Sequence, residues 1–122
     1  MLKLTFCLHR LPGLTVGEFQ TYWREKHAPL VASHAGTLGI KRYVQTHAII
    51  HEMNETIRGT REAPERFDGI AELWWENWEA FFSASENPGA AEAGQALLED
   101  ERTFIDLKRS PLWFNEEHVI VG

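Results

Sequence analysis

An α+β fold, with one antiparallel four-stranded sheet covered by helices on a single face, is predicted by three features of this sequence. The chain opens on a strictly alternating apolar segment, a reciprocal capping box comes next, and the later signals run strand, strand, helices, strand. With 122 residues there is room for one compact domain, 1–122, and little for a second.

In "LKLTFCLHR" Leu2, Leu4, Phe6 and Leu8 point one way and Lys3, Thr5, Cys7 and His9 the other, which predicts a strand. "LPGL" makes the turn, Pro12 fixing its own φ and Gly13 free to take a positive one. Thr15 and Glu18 then match the capping box, and Leu14 with Phe19 the hydrophobic staple. Phe19, Trp23, His27 and Leu30 recur at near-helical spacing, so His27 belongs to the apolar stripe. Pro29 has no amide proton, its ring conflicts with the carbonyl of Glu25, and it biases Ala28 away from the α region. The helix is therefore expected to end or kink around His27.

"KRYVQTHAI", Lys41 to Ile49, reads as a second strand, and the polar "HEMNETIRGTREAPERF" as a long flap or dimer-wrapping arm. "DGIAELWWE" is the third strand, and "NWEAFFSAS" a short helix capped by Asn77. Ala90 to roughly Lys108 forms another helix, with Leu97, Phe104 and Ile105 inward and Glu99, Asp100 and Glu101 outward. "SPLWFNEEHVIVG" closes the chain as a fourth strand. This order is the ferredoxin-like βαββαβ plan with one extra short helix. Trp74 and Trp75 are adjacent on one strand, so one ring must leave the helix-covered face. An aromatic of that size is seldom left in water, so a homodimer joined sheet to sheet, as a barrel, is expected.

Composition narrows the function classes. Hydrophobic residues make up 43%, including five Trp and seven Phe, which is enough for a real core. The net charge of −6 and the lack of a basic cluster argue against a nucleic-acid partner. Cys7 is the one cysteine, which suits a reducing compartment. The apolar run at the start is too short for a signal peptide or a membrane span, so a soluble, cytoplasmic protein without a membrane partner is expected.

His27 is the leading candidate for chemistry, because imidazole titrates near neutral pH. Two readings stay open: a working acid/base at a helix break, or a core ring that happens to pack there. A helix carboxyl end favours the protonated ring and burial opposes it. Glu72 shares a strand face with Ile70 and Trp74, while Ala71, Leu73 and Trp75 take the other. A carboxylate there would either assist His27 or hold a structural hydrogen bond. Trp23, Tyr43, Leu73, Trp75, Phe82 and Phe104, with Trp78, are candidates for an aromatic substrate pocket, and each also suits an ordinary core position. His47 and His51, four apart, would lie about 13 Å apart on a strand, too far for one ion. No HExxH, CxxC, P-loop or GxGxxG pattern is present, so no metal or organic cofactor is expected.

The blocks "LKLTFCLHRLPGLT", "YWREKHAPLV", "RGTREAPERFDGIAELWW" and "FIDLKRSPLWFNEEHVI" together resemble the EthD family of the dimeric α/β-barrel superfamily, over nearly the whole chain. The resemblance implies a ferredoxin-like dimer with a largely apolar pocket between sheet and helices. EthD-like proteins accompany ether-degrading oxygenases, and relatives include cofactor-free decarboxylases of aromatic polyketide acids and a muconolactone methylisomerase. The histidine of "HAPL", here His27, matches one implicated in proton transfer. The isomerase's third-strand cysteine corresponds to Leu73, which argues against that particular reaction. The resemblance thus implies a cofactor-independent enzyme for a small hydrophobic or aromatic oxygenated metabolite, working by decarboxylation, cyclisation or isomerisation. His27 and Glu72 would be catalytic, and Tyr43 would bind a substrate oxygen. The alternatives are a non-catalytic metabolite-binding accessory to an oxygenase, and a haem protein.

Overall fold

A computed structural model describes all 122 residues. Four strands, β1 (Leu2–Leu8), β2 (Arg42–His47), β3 (Gly69–Trp75) and β4 (Leu112–Glu116), form one sheet in the order β2-β3-β1-β4, and every neighbouring pair is antiparallel. Together with helices on one face, this is the ferredoxin-like architecture. Strand parity settles which side chains meet the helices. Phe6 and Leu8 of β1 and Ala71 of β3 join Phe19, Trp23, Phe104 and Ile105 in the core, with Tyr43 and Leu73 packed against it.

The first helical segment starts where the capping box places it. The Thr15 amide donates to Glu18 Oε1 (2.9 Å) and the Glu18 amide to Thr15 Oγ1 (3.0 Å). After α1 (Val16–Tyr22), the helix does not stop. It widens into a single π-helical turn, Trp23–His27, and continues as α2 (Ala28–Leu38), which ends at left-handed Gly39 (φ 71°). Ala28 keeps α-helical angles (φ −58°, ψ −45°), against expectation. The wide turn explains why: the Ala28 amide bonds the Trp23 carbonyl five residues back, so the ladder passes over the bond Pro29 cannot make.

The polar arm contains α3 (Glu52–Gly59), which buries none of its residues. Asn77 caps α4 (Trp78–Ala84), its Oδ1 accepting from the Ala80 amide at 2.8 Å. The next helix, α5, spans Ala90–Glu101 and stops short of the expected Lys108; Leu107–Arg109 is a separate 3₁₀ turn. The last strand likewise ends at Glu116.

Trp75 faces the helices, its indole N–H donating to the Leu38 carbonyl at 2.8 Å. Trp74 faces away from them but is only 6% exposed. Lys3 and Arg42 lie over its ring (5.2 and 4.7 Å to the centroid), and its N–H donates to Glu117. Cation–π contacts of this kind contribute about 0.5–1 kcal/mol each. Its cover comes from its own chain, so Trp74 does not by itself require a second copy. On the same face Trp113 is 48% exposed.

Candidate functional site

Three segments converge on His27. The π turn carries the ring inward, where it is 5% exposed and lies 5.0 Å from the Phe104 ring. Its Nδ1 pairs at 2.7 Å with Oδ2 of Asp100, from the last turn of α5. The other carboxylate oxygen of Asp100 accepts from the Tyr22 hydroxyl at 2.5 Å, and Thr103 Oγ1 donates to the Asp100 carbonyl at 2.6 Å. A carboxylate that takes Nδ1–H fixes the tautomer, leaving the lone pair on Nε2. No fully enclosed side-chain nitrogen or oxygen in the chain lacks a partner, and Nε2 makes no hydrogen bond, so that atom keeps a trace of open surface. Burial pushes the His27 pKa below 6.5, and Asp100 only partly opposes this. The Tyr22 phenol is pushed up, chiefly because it donates to Asp100.

The residue after Asp100 closes α5. Glu101 is half-buried and forms no ion pair or side-chain hydrogen bond. Burial, reinforced by Asp100, raises its carboxyl from 4.5 to about 7. It is near enough to Tyr43, on edge strand β2, for its charge to raise that phenol's pKa, though burial contributes more. Along β2 a polar row continues from Tyr43. Gln45 Nε2 donates to the Tyr43 hydroxyl (2.8 Å) and to the Trp23 carbonyl (2.9 Å), and Gln45 Oε1 accepts from His47 Nε2 (2.8 Å). The His47 ring stacks on Trp23 at 4.4 Å. Gln45 therefore ties the widened turn to the sheet. Gly69 on β3 makes room for Trp23: a Cβ there would overlap the indole ring.

The sequence-derived candidates divide between three places. His27, Trp23, Tyr43, Leu73 and Phe104 lie in or against one helix-side cluster, with Trp75 further along the same sheet face against Phe81. Glu72 does not join them. Parity puts it on the opposite face, where it pairs with Lys3, so it cannot assist His27. Phe82 is 60% exposed and stacks on Trp78, away from the imidazole. Trp23 and Phe104, each 1% exposed, are core fillers rather than walls of an open pocket. Three cavities also lie elsewhere. One of about 440 Å³ opens beside Arg10, Asp68 and Arg66, one of about 470 Å³ runs along the outer side of Tyr22, and one of about 340 Å³ lies against Trp78. None of the three is lined by His27, Asp100, Glu101 or Tyr43.

Asp100 and Glu101 were expected to face solvent, and both turn inward. The signal for this lies in the spacing: Ala93, Leu97, Asp100 and Phe104 succeed one another at four, three and four residues, so the pair sits on the helix's buried stripe. His51 caps α3 by accepting from the Met53 amide at 3.0 Å, and His47 is held by Gln45, so the two histidines serve different elements.

This fold, with a buried imidazole and carboxyl pair between its helices and an antiparallel sheet, defines a small ferredoxin-like α+β protein with no helix long and apolar enough to cross a membrane. The EthD domain profile matches residues 11–108, and the chain belongs to the EthD family. It is similar to an EthD family protein from Bacillus halodurans, at 21% identity and a TM-score of 0.65, covering 97% of this chain and 99% of that one. An EthD-like protein from Ralstonia eutropha aligns at 17% identity and a TM-score of 0.64, over 99% and 95% of the two chains. SnoaB from Streptomyces nogalater, described as a cofactor-independent oxygenase, aligns at 17% identity and a TM-score of 0.50, over 98% and 93%. At such identities the likeness is one of fold.

Proposed function

We propose that this protein is a cofactor-independent enzyme acting on a small hydrophobic or aromatic oxygenated metabolite, with His27 as the proton carrier. The observation that carries this reading is the Asp100–His27 pair, in which Nδ1 is held at 2.7 Å and Nε2 has no partner. A depressed pKa keeps the ring neutral at pH 7, so Nε2 is a base ready to accept a proton. Asp100 then stabilises the imidazolium that forms, the role of the orienting carboxylate in any His-centred relay. The description of SnoaB as cofactor-independent supports chemistry of this type on the same fold.

Tyr43 on the edge strand is the group placed to meet a substrate oxygen, and the half-buried edge at Tyr43 and Glu101 is the route by which a ligand reaches the ring. Binding has to open that edge, because the ring is covered in the unliganded chain. The partner at the bare sheet face is a second copy of the chain, which would cover the exposed Trp113. The compartment proposed is the cytoplasm, from the lone buried thiol of Cys7.

The test monitors hydrogen–deuterium exchange at the carbon next to the carbonyl of 2,4-dihydroxyacetophenone, in D₂O by proton NMR. Wild type should accelerate the exchange, and His27→Asn should lose it while still binding the ketone. Exchange by His27→Asn at the wild-type rate would refute the assignment.

A further inference from the structure

Two side chains of one continuous helical segment share a single carboxylate. The Tyr22 hydroxyl donates to Oδ1 of Asp100 at 2.5 Å, and His27 Nδ1 pairs with Oδ2 at 2.7 Å. In a regular α-helix, residues five apart point about 140° away from each other and do not converge on one group. Between these two lies the widened turn, closed by the bond from the Ala28 amide to the Trp23 carbonyl five residues back. A turn of that width brings residues five apart toward one face, and there both meet α5. Thr103 braces the arrangement: its Oγ1 donates to the Asp100 carbonyl at 2.6 Å and to the Tyr22 hydroxyl at 3.4 Å. The Phe104 ring stands 5.0 Å from each of the two rings. Asp100 is the group whose charge acts on His27. On the other packed elements, Glu18 of α1 is taken by the capping box, His34 lies on α2 and Glu101 follows Asp100 on α5; none of the three bonds the ring. Arg24, Glu25 and Lys26 of the turn itself are exposed.

We propose that Tyr22 is a positioning residue for His27: by holding the second oxygen of Asp100 it draws off part of that carboxylate's charge and keeps the imidazole neutral and available as a base. This rests on the reading of His27 as the proton carrier. A carboxylate free at its far oxygen would put its whole charge on the ring and favour the imidazolium, which has no lone pair left on Nε2. A donor on that oxygen stabilises the anion itself and weakens its pull on the ring. The phenol also fixes the rotation of the carboxylate, so Oδ2 stays aimed at Nδ1. When the ring takes a proton, Asp100 still carries the charge that stabilises it. Tyr22 keeps its own proton, because a phenol releases one far less readily than an imidazolium does. No bond of Tyr22 breaks in the step, and it touches Asp100 rather than the reacting atoms. The widened turn is the device that sets this register, and Pro29, with no amide to leave unpaired, makes such a turn cost little.

The test follows the His27 Cε1–H resonance of the full chain through a pH titration. Phenylalanine keeps the ring against Phe104 and removes only the hydroxyl, so Tyr22→Phe should fold and raise the His27 midpoint by about half a pH unit. Placing 3-fluorotyrosine at position 22 keeps the shape and strengthens the donor, so there the midpoint should fall below the wild-type value. A hydroxyl that merely ties α1 to α5 would change stability in urea and leave both midpoints where wild type has them. That result, or a shift in the opposite direction in either variant, overturns the proposal. The second readout is the pH profile of deuterium exchange into 2,4-dihydroxyacetophenone. In Tyr22→Phe its acid limb should move up with the resonance while binding of the ketone is unchanged. A resonance that moves while the limb stays in place upholds the hold of Tyr22 on the ring and refutes His27 as the base, so the two failures are distinguishable.

Discussion

Glu101→Gln should stabilise the protein, and only above the acid range. The carboxyl titrates near 7 in the folded chain and near its ordinary 4.5 when unfolded. Between those values the folded state binds a proton that the unfolded state has released, so stability falls as pH rises. The cost is complete once pH passes 7. A displacement from 4.5 to about 7 corresponds to at most on the order of 3 kcal/mol, and about 2 kcal/mol once water reaching a half-buried group is allowed for. Glutamine keeps the shape and cannot ionise, so the difference between variant and wild type isolates this one group; the other titrations cancel. Urea unfolding at pH 4, 5.5, 7 and 8 should show the variant's advantage growing by about 2 kcal/mol, or roughly 8 °C in Tm at about 4 °C per kcal/mol. An advantage that stays constant from pH 4 to 8 would refute the raised carboxyl and the burial argument behind it.

Other consequences can be measured directly. The His27 pKa is depressed, so its contribution is present above 6.5 and lost as pH falls through the folded value; the ring's Cε1–H resonance should titrate below 6.5, and a midpoint above that would contradict its burial. Asp100→Asn removes the main opposition to that depression, so the same resonance should move its midpoint still lower. Gly69→Ala drives a methyl into the Trp23 indole and to 2.9 Å from the Thr46 carbonyl, and should cost about 2–3 kcal/mol in urea unfolding; a change under about 0.5 kcal/mol would mean Trp23 moves freely. Thr15→Ala removes the hydroxyl that accepts from the Glu18 amide, leaving only the backbone half of the capping box, and should cost about 1 kcal/mol.

The features legible in the chain are those fixed within a few residues. Thr15 and Glu18 are three apart and satisfy each other's amides, so the start of α1 is readable without any tertiary contact. The alternation in Leu2–Leu8 fixes a face for each side chain, and the same parity in β3 separates Trp75 from Trp74 as the sheet does. His27 stands out by residue type and by the proline two places on. The helix path past Pro29 is not legible in the same way. A π turn and a chain break both accommodate a missing amide, and the local sequence does not choose between them. In the folded chain the Trp23 carbonyl that the widened turn uses is also held by Gln45, 22 residues away on a strand.

Element order, capping and strand faces are therefore settled by short-range stereochemistry, and they suffice to specify the ferredoxin-like sheet and its helical cover. The company His27 keeps is decided only by folding. Asp100 is 73 residues distant in the chain, Glu72 is turned away by strand parity, and Glu101 acquires its proton affinity from burial at a helix end. Electrostatic environment is a property of distances through space, and those exist only once the sheet has brought α5 against the widened turn.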